Sequence, residues 1–382
     1  MDNPMKVIMD ATPLMSQKTG VGYYTVNLVK QFLKTNNNFN LNLAINGIKP
    51  SKPIHTGVGS VNKILIPYDK LRDLNLNPTL YNGLKLEFIT GNFDVFHGTN
   101  FHSWPTYNAK KVITFHDLAF IKYPELMPQH IVKHHAKWAI HSLYNSDMII
   151  TVSQSVRNEI IDYFNFDPEK VMCTPLAASE QFFRRDQNQL LKNVKAKYGL
   201  PDSFLLYVGT LEPRKNILRM IEAYYKAKKD SGLEQKLVLV GSKGLEIDTV
   251  FHKINKLNLS KDVIIPGYVE ENDLPLIYNA ADAFIYVSMY EGFGLPILEA
   301  MKSGIPVITS NISSMPEVAG DAASLVDPLD TLSISEAINK VLLDKEYRNS
   351  LSLKGLGQSR EFSWELTAAK TLDIYKKVLN YK

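Results

Sequence analysis

Residues 204–228, FLLYVGTLEPRKNILRMIEAYYKAK, decide the fold class. Phe204–Val208 is a continuous apolar run, the pattern of a strand covered on both faces, and Asn216–Lys228 carries helical periodicity behind an asparagine at the N-cap position. Outward from this strand–turn–helix unit the same alternation recurs. Strands are predicted upstream at Val7–Asp10, Leu41–Asn46, Val95–His97, Val112–Phe115 and Met148–Val152. Downstream they fall at Leu237–Val240, Val263–Ile265, Ala283–Val287, Val307–Thr309 and Ser324–Val326. Helices are expected between them, including Tyr23–Lys34 and Leu274–Asn279, with an amphipathic helix at Thr367–Tyr381 closing the chain. Such alternation predicts an α/β protein with doubly wound parallel sheets. Thr174–Tyr198 is polar and strandless, so a linker is placed around 175–183 between two successive α/β units.

At 382 residues the chain is long enough for two ordinary domains. Hydrophobic residues at 45% and charged residues at 21% exclude a disordered or collagen-like chain. No apolar run approaches the ~18–20 residues of a membrane-spanning helix. The start, MDNPMKVIMD, has no basic region leading into a long apolar stretch, so no secretory signal is expected. The one cysteine, Cys173, excludes an internal disulfide; it reads as a small residue on a buried strand and fits a reducing cytoplasm. A net charge of +4 is too small to argue for a nucleic-acid partner, and all of it falls within residues 1–175. An anionic acceptor or membrane surface would use such a surplus, and plain solvated lysines would look the same.

Tyr286–Glu299, YVSMYEGFGLPILE, is the stretch richest in chemistry. A strand ends, Glu291 opens a turn with Gly292, Gly294 and Pro296, and a helix begins that carries Glu299. Glycines let the backbone approach a ligand and expose amides to anionic oxygens at a helix start. A carboxylate at each end of the loop adds acceptors for sugar or ribose hydroxyls; the plainer reading is a tight turn with two solvated glutamates. In Tyr207–Asn216, YVGTLEPRKN, Gly209 and Thr210 lead to adjacent Arg214 and Lys215 ahead of a helix. Two cations there oppose the helix dipole unless an anion joins them, which points to a diphosphate. The alternative is two solvated side chains in a loop.

Lys18–Thr25, KTGVGYYT, offers the amides of Gly20 and Gly22 to a phosphate. As a dinucleotide fingerprint it lacks the third glycine, and no acidic residue closes the next strand. Thr114–Leu118, TFHDL, sets His116 and Asp117 past a strand end, and His97 follows another strand in the same way. A lone histidine so placed is also read as a structural hydrogen-bonder. The group His130, His134, His135 and His141 has no carboxylate at ligand spacing and reads as the polar face of a helix, so no metal is expected. No G-x-S-x-G elbow, Walker loop or Asp-x-Asp pair occurs.

In chain order, the Gly20–Gly22 segment, His116–Asp117, SQSVRNEI at Ser153–Ile160 and Gly209 with Arg214–Lys215 form one pattern. It continues with PGYVEENDLPLIYNAADAFIYVS at Pro266–Ser288, the E-x7-E pair Glu291–Glu299 and FSWE at Phe362–Glu365. Together these resemble, over essentially the whole chain, the retaining two-domain glycosyltransferases of family 4, which include glycogen and sucrose synthases and bacterial lipopolysaccharide enzymes. The resemblance implies a GT-B fold: an acceptor-binding Rossmann-like domain over 1–176, rejoined by a closing helix at 365–382, and a donor-binding one over 177–364, facing a central cleft. It implies that Arg214 and Lys215 neutralise the donor diphosphate, aided by amides of Gly20, Gly22 and Phe293–Leu295. Glu299 would take the ribose hydroxyls, Glu291 the sugar hydroxyls near C3 and C4 with backbone support from Phe293 and Gly294, and His116 the 6-hydroxyl. Gly209, Thr210 and Gly292 complete the donor loops, and the backbone at Tyr268–Val269 would meet the base. His97 and Asp117 are assigned to the acceptor side. Cations and helix termini stand in for a metal, so no cofactor is expected and activity should persist in EDTA.

The GVGYYT and TFHDLAF segments resemble bacterial polysaccharide enzymes that often use GDP-mannose. The expected acceptor is an O-antigen or capsule saccharide, or an undecaprenyl-linked one. The basic first half, with Trp104, Trp138 and nearby lysines, would suit an enzyme resting on the inner membrane face. UDP-glucose, UDP-GlcNAc or dTDP-rhamnose are alternative donors. An NAD-dependent oxidoreductase, a sugar-nucleotide epimerase or a silent nucleotide-sugar-binding protein are alternative classes.

Overall fold

The computed structural model describes residues 4–15, 20–34, 39–46, 63–66, 83, 85–186, 188–244 and 247–380. Lys18 and Thr19 of the first glycine segment and Tyr381 and Lys382 of the closing helix lie outside them. The chain forms two compact units, Met1–Leu176 with Trp364–Lys382, and Ala177–Ser363.

The first unit holds β1 (Met5–Asp10), β2 (Phe39–Asn46), β3 (Lys63–Ile66), β4 (Val95–Gly98), β5 (Lys110–Phe115), β6 (Met148–Thr151) and β7 (Val171–Cys173). All pair in parallel in the order β3-β2-β1-β4-β5-β6-β7. The second holds β8 (Phe204–Val208), β9 (Lys236–Val240), β10 (Val263–Gly267), β11 (Ala283–Tyr286), β12 (Val307–Ser310) and β13 (Ala323–Val326), parallel in the order β10-β9-β8-β11-β12-β13. Both are Rossmann-like: the strand order reverses between β1 and β4 and again between β8 and β11, and ligands favour that reversal at the carboxyl ends. Phe204, Leu205, Leu206 and Tyr207 are all fully buried, so β8 has helices on both faces, as its unbroken apolar run predicts.

The predicted strands lie within a residue or two of those observed. β3 was not predicted, and β7 was announced only by Cys173, which is half-buried at the strand's end. Three or four residues carry no usable period. The first helix spans Gly20–Lys34 rather than starting at Tyr23, so Gly20 and Gly22 belong to its first turn and not to a loop. Its buried face, which includes Tyr24, Thr25, Leu28, Val29 and Phe32, begins at Gly22, while Gly20 is exposed.

The closing helix, Trp364–Asn380, packs on that first helix: Gln31 donates to Glu365 Oε1 at 2.9 Å, and Phe32 lies 5.9 Å from Tyr375. Thr367 Oγ1 donates to the carbonyl of Pro175 at 2.6 Å. Trp104 and Trp138, expected to suit a membrane face, are instead core residues at 2% and 6% exposure, Trp104 stacking on Phe96. His134 and His135 are half-buried against His102 and Phe101, so that helix face is only partly a solvated one. Among the described residues no helix is long and apolar enough to cross a membrane.

Candidate active site

The order reversal between β8 and β11 brings together two loops that are far apart in sequence. Residues 209–216 follow β8 and 287–294 follow β11, and cross-braces lock them. The amide of Met289 donates to the Arg214 carbonyl at 2.9 Å. Asn216, in the left-handed conformation at φ 62°, donates from Nδ2 to the carbonyls of Val287 (3.0 Å) and Pro328 (2.7 Å). Asparagine tolerates that conformation better than most residues, and here its amide also satisfies two buried carbonyls.

Arg214 and Lys215 sit in a single 3₁₀ turn, Pro213–Lys215, ahead of the helix Ile217–Ser231. Lys215 Nζ lies 2.5 Å from Glu291 Oε1 and donates to the Tyr286 hydroxyl at 2.8 Å; that hydroxyl donates on to Glu291 Oε1 at 2.9 Å. Arg214 Nη1 donates to the Tyr290 carbonyl at 2.6 Å and lies 3.3 Å from Glu291 Oε2, while Nη2 meets Glu212 Oε1 at 2.9 Å. The anionic partner that the two cations require is therefore supplied first by the chain itself, which corrects the expectation that a diphosphate alone resolves the conflict. Burial pushes the Glu291 carboxyl up, but Lys215 and Arg214 outweigh it and hold the group at about 2. Burial lowers Lys215, against the pull of Glu291. The site is an internal ion cluster, with every charge facing its opposite.

The loop after Glu291 is pinned from the next βα connection. Ser313 Oγ donates to the Glu291 carbonyl at 2.6 Å, and Ser314 Oγ reaches the carbonyls of Glu291 and Phe293, both at 2.9 Å. Gly292 and Phe293 are buried, and Phe293 packs edge-on against Phe362. Gly294 caps the helix Leu295–Lys302 at φ 102°, a conformation that suits glycine, and a Cβ there would stand 3.0 Å from Ile297 Cδ1. As first-turn groups, the amides of Gly294 and Leu295 have no acceptor inside the helix.

Glu299 is not at the loop but one turn into that helix, and it is half-buried. The Tyr278 hydroxyl, from the helix Leu274–Ala280, donates to Glu299 Oε2 at 2.9 Å. Burial raises the carboxyl to about 7, against the lowering effect of that hydrogen bond. Tyr278, Phe284, Tyr286 and Tyr207 form a column of rings with neighbouring centroids 5.4, 5.9 and 6.0 Å apart, so both glutamates take a hydroxyl from one aromatic stack. At the edge of the site Gly209 packs under Gly241, where a Cβ would come within 1.9 Å of the Gly209 carbonyl oxygen. Thr210 is exposed, its carbonyl held by the Tyr207 hydroxyl at 3.1 Å. Tyr268 is 63% exposed, whereas Val269 beside it is buried.

In the first unit, His116 Nε2 lies 2.8 Å from the Thr99 carbonyl. A carbonyl only accepts, so Nε2 carries the proton; burial lowers the ring's pKa, leaving neutral imidazole with Nδ1 as its acceptor. Asp117 Oδ1 accepts from the Ala119 amide at 3.0 Å, a turn-forming role. His97 corrects the expectation of an acceptor-side group. It is fully buried, with Nδ1 2.6 Å from the Tyr375 hydroxyl and Nε2 2.8 Å from Thr114 Oγ1, and burial lowers it to about 3. Both ring nitrogens are spent on the core.

Sequence reasoning missed Tyr278, Tyr286, Glu212, Asn216, Ser313 and Ser314. The usable signal was a tyrosine inside an apolar run, because a buried hydroxyl must find a partner.

Two α/β units, one with cations and glutamates gathered at its topological switch point, define the class of two-domain Rossmann-like proteins. Residues 18–177 match the model of Glycosyltransferase Family 4 and residues 192–356 that of Glycosyl transferases group 1. O-antigen chain mannosyltransferase B of Escherichia coli is 34% identical over 97% of this chain and 100% of its own length. O-antigen chain mannosyltransferase RfbU of Salmonella typhimurium is 28% identical over 64% of each chain. Sucrose-phosphate synthase of Thermosynechococcus elongatus superposes with a TM-score of 0.74 at 19% identity, covering 99% of this chain and 100% of that one. The chain belongs to glycosyltransferase family 4 and is a glycosyltransferase with two Rossmann-like domains.

Proposed function

We propose that the chain is a retaining, metal-independent mannosyltransferase that moves mannose from GDP-mannose to a saccharide or undecaprenyl-linked acceptor in O-antigen synthesis. The observation that carries this reading is the convergence of Arg214 and Lys215 on Glu291. Of the three ammonium protons on Lys215, Tyr286 and Glu291 take two, and the third is the one offered to a diphosphate oxygen. As the glycosidic bond breaks, negative charge grows on the leaving nucleoside diphosphate, and cations already fixed in place stabilise it without reorganising. They do the work a divalent ion would otherwise do.

Glu291, held ionised, accepts from sugar hydroxyls near C3 and C4, with the Phe293 and Gly294 backbone beside it, and Glu299 accepts from the ribose. The exposed Tyr268 and its backbone neighbour Val269 meet the base. The amides of Gly294 and Leu295 add donors for phosphate oxygens. His116 accepts from the sugar's 6-hydroxyl through Nδ1. The mannosyl and O-antigen assignment is supported by the names of the similar proteins from Escherichia coli and Salmonella typhimurium. An undecaprenyl-linked acceptor places the reaction at the cytoplasmic membrane face, where the basic surplus of residues 1–175 favours anionic lipid.

A panel of GDP-mannose, UDP-glucose, UDP-GlcNAc and dTDP-rhamnose, assayed for nucleotide release with and without lipid-linked acceptor, tests it. Release from GDP-mannose alone, enhanced by acceptor and unchanged in EDTA, is expected. Release from another donor, or an absolute Mg²⁺ or Mn²⁺ requirement, contradicts it.

A further inference from the structure

We propose that Tyr278 is a positioning residue for nucleotide binding: its hydroxyl sets the Glu299 carboxylate in the one orientation that receives the ribose. The proposal rests on the reading that Glu299 takes the ribose hydroxyls. Tyr278 is fully buried, one residue past the middle of the seven-residue helix Leu274–Ala280, whose second residue is Pro275. Its ring stands edge-on to Phe182 at 5.6 Å and tilted on Phe284 at 5.4 Å, so it has no second rotamer to visit. Of its two torsions neither is free, and the hydroxyl is therefore a fixed point in space.

Glu299 differs. It carries three side-chain torsions, it is half-buried, and the Tyr278 hydroxyl at 2.9 Å is its one side-chain hydrogen bond among the described residues. A flexible carboxylate loses rotamer freedom on meeting a vicinal diol, and a rigid phenol bonded to Oε2 removes that loss before the ligand arrives. Oε1 and the second lone pair of Oε2 remain for the 2′- and 3′-hydroxyls. Glu291, in contrast, is held by three groups at once, so Tyr286 is one restraint of several there while Tyr278 stands alone.

Tyr278→Phe keeps the ring and deletes the hydroxyl. Calorimetric affinities for GDP and for 2′,3′-dideoxyguanosine diphosphate separate positioning from packing. The variant should bind GDP about 5- to 10-fold more weakly and bind the dideoxy nucleotide as wild type does, and with GDP-mannose KM should rise while kcat holds. Glu299→Gln should lose the preference for GDP over the dideoxy nucleotide. Tyr278→Phe/Glu299→Gln, which leaves no unpaired carboxylate and guards against a folding defect, should match the Glu299→Gln single. Equal weakening of both nucleotides by Tyr278→Phe, wild-type GDP affinity in that variant, or additive losses in the double would overturn the proposal. An unchanged preference for GDP in Glu299→Gln would instead overturn the ribose reading beneath it.

Discussion

Glu291 and Glu299 stand eight residues apart on one loop and helix, both drawn away from water, yet their carboxyls part in opposite directions from the ordinary 4.5: one to about 2, the other to about 7. Burial pushes both upward. What separates them is the company each keeps. Glu291 faces an ammonium and a guanidinium, and Glu299 faces a phenol. Charge neutralisation outweighs desolvation at the first, and a single neutral hydrogen bond does not at the second. The difference suits two tasks, since one carboxylate must coexist with the diphosphate cations and the other needs only to meet neutral hydroxyls.

The largest break in this comparison comes from deleting the ammonium. Lys215→Met leaves Glu291 buried with one cation fewer, and we expect a stability loss of ~3 kcal/mol by denaturant unfolding and a fall in turnover of about 10²–10³-fold. Arg214→Ala, at the more open side of the cluster, should keep the fold and lose turnover by about 10²-fold. Near-wild-type turnover in both variants would remove the role given to the cations.

The pH dependence sharpens the contrast further, because the two linkages have opposite sign. Glu291 has a depressed carboxyl, so its stabilisation is present above 4.5 and is lost as pH falls toward 2. Glu299 has a raised one, so the folded chain holds a proton there that the unfolded chain has released between 4.5 and about 7, and stability falls as pH rises across that window. Glu299→Gln should abolish that slope, worth ~3 kcal/mol, while leaving the acid limb; an unaltered slope in the variant would place the titrating group elsewhere. On the same grounds, wild-type GDP affinity should improve as pH passes through about 7, and the Gln variant should show a flat profile. Smallest of all is the effect of EDTA, for which no change in rate is expected; abolished activity would show that the cluster does not substitute for a divalent ion.

The two sheets were legible because buried parallel strands announce themselves as unbroken apolar runs, as in Phe204–Val208. The site was legible in its parts and not in its wiring. Arg214, Lys215 and Glu291 were recognisable as chemistry past strand ends, but their mutual pairing spans 76 residues or more and depends on β8 and β11 being neighbours across the order reversal. Tyr278 and Tyr286 sit in apolar segments where a tyrosine looks like any core aromatic, and only the fold shows where the hydroxyl lands. His97 misled for the same reason: past a strand end it resembles a site group, whereas its partner Tyr375 lies 278 residues away on the closing helix.

The most direct test of the central claim is calorimetric titration of GDP-mannose into wild-type chain and Arg214→Ala. Saturable one-site binding in the wild type, weakened about 100-fold in the variant, is the predicted result. Equal affinity in the two proteins would mean that the donor diphosphate is held somewhere other than the cluster at the β8–β11 switch point.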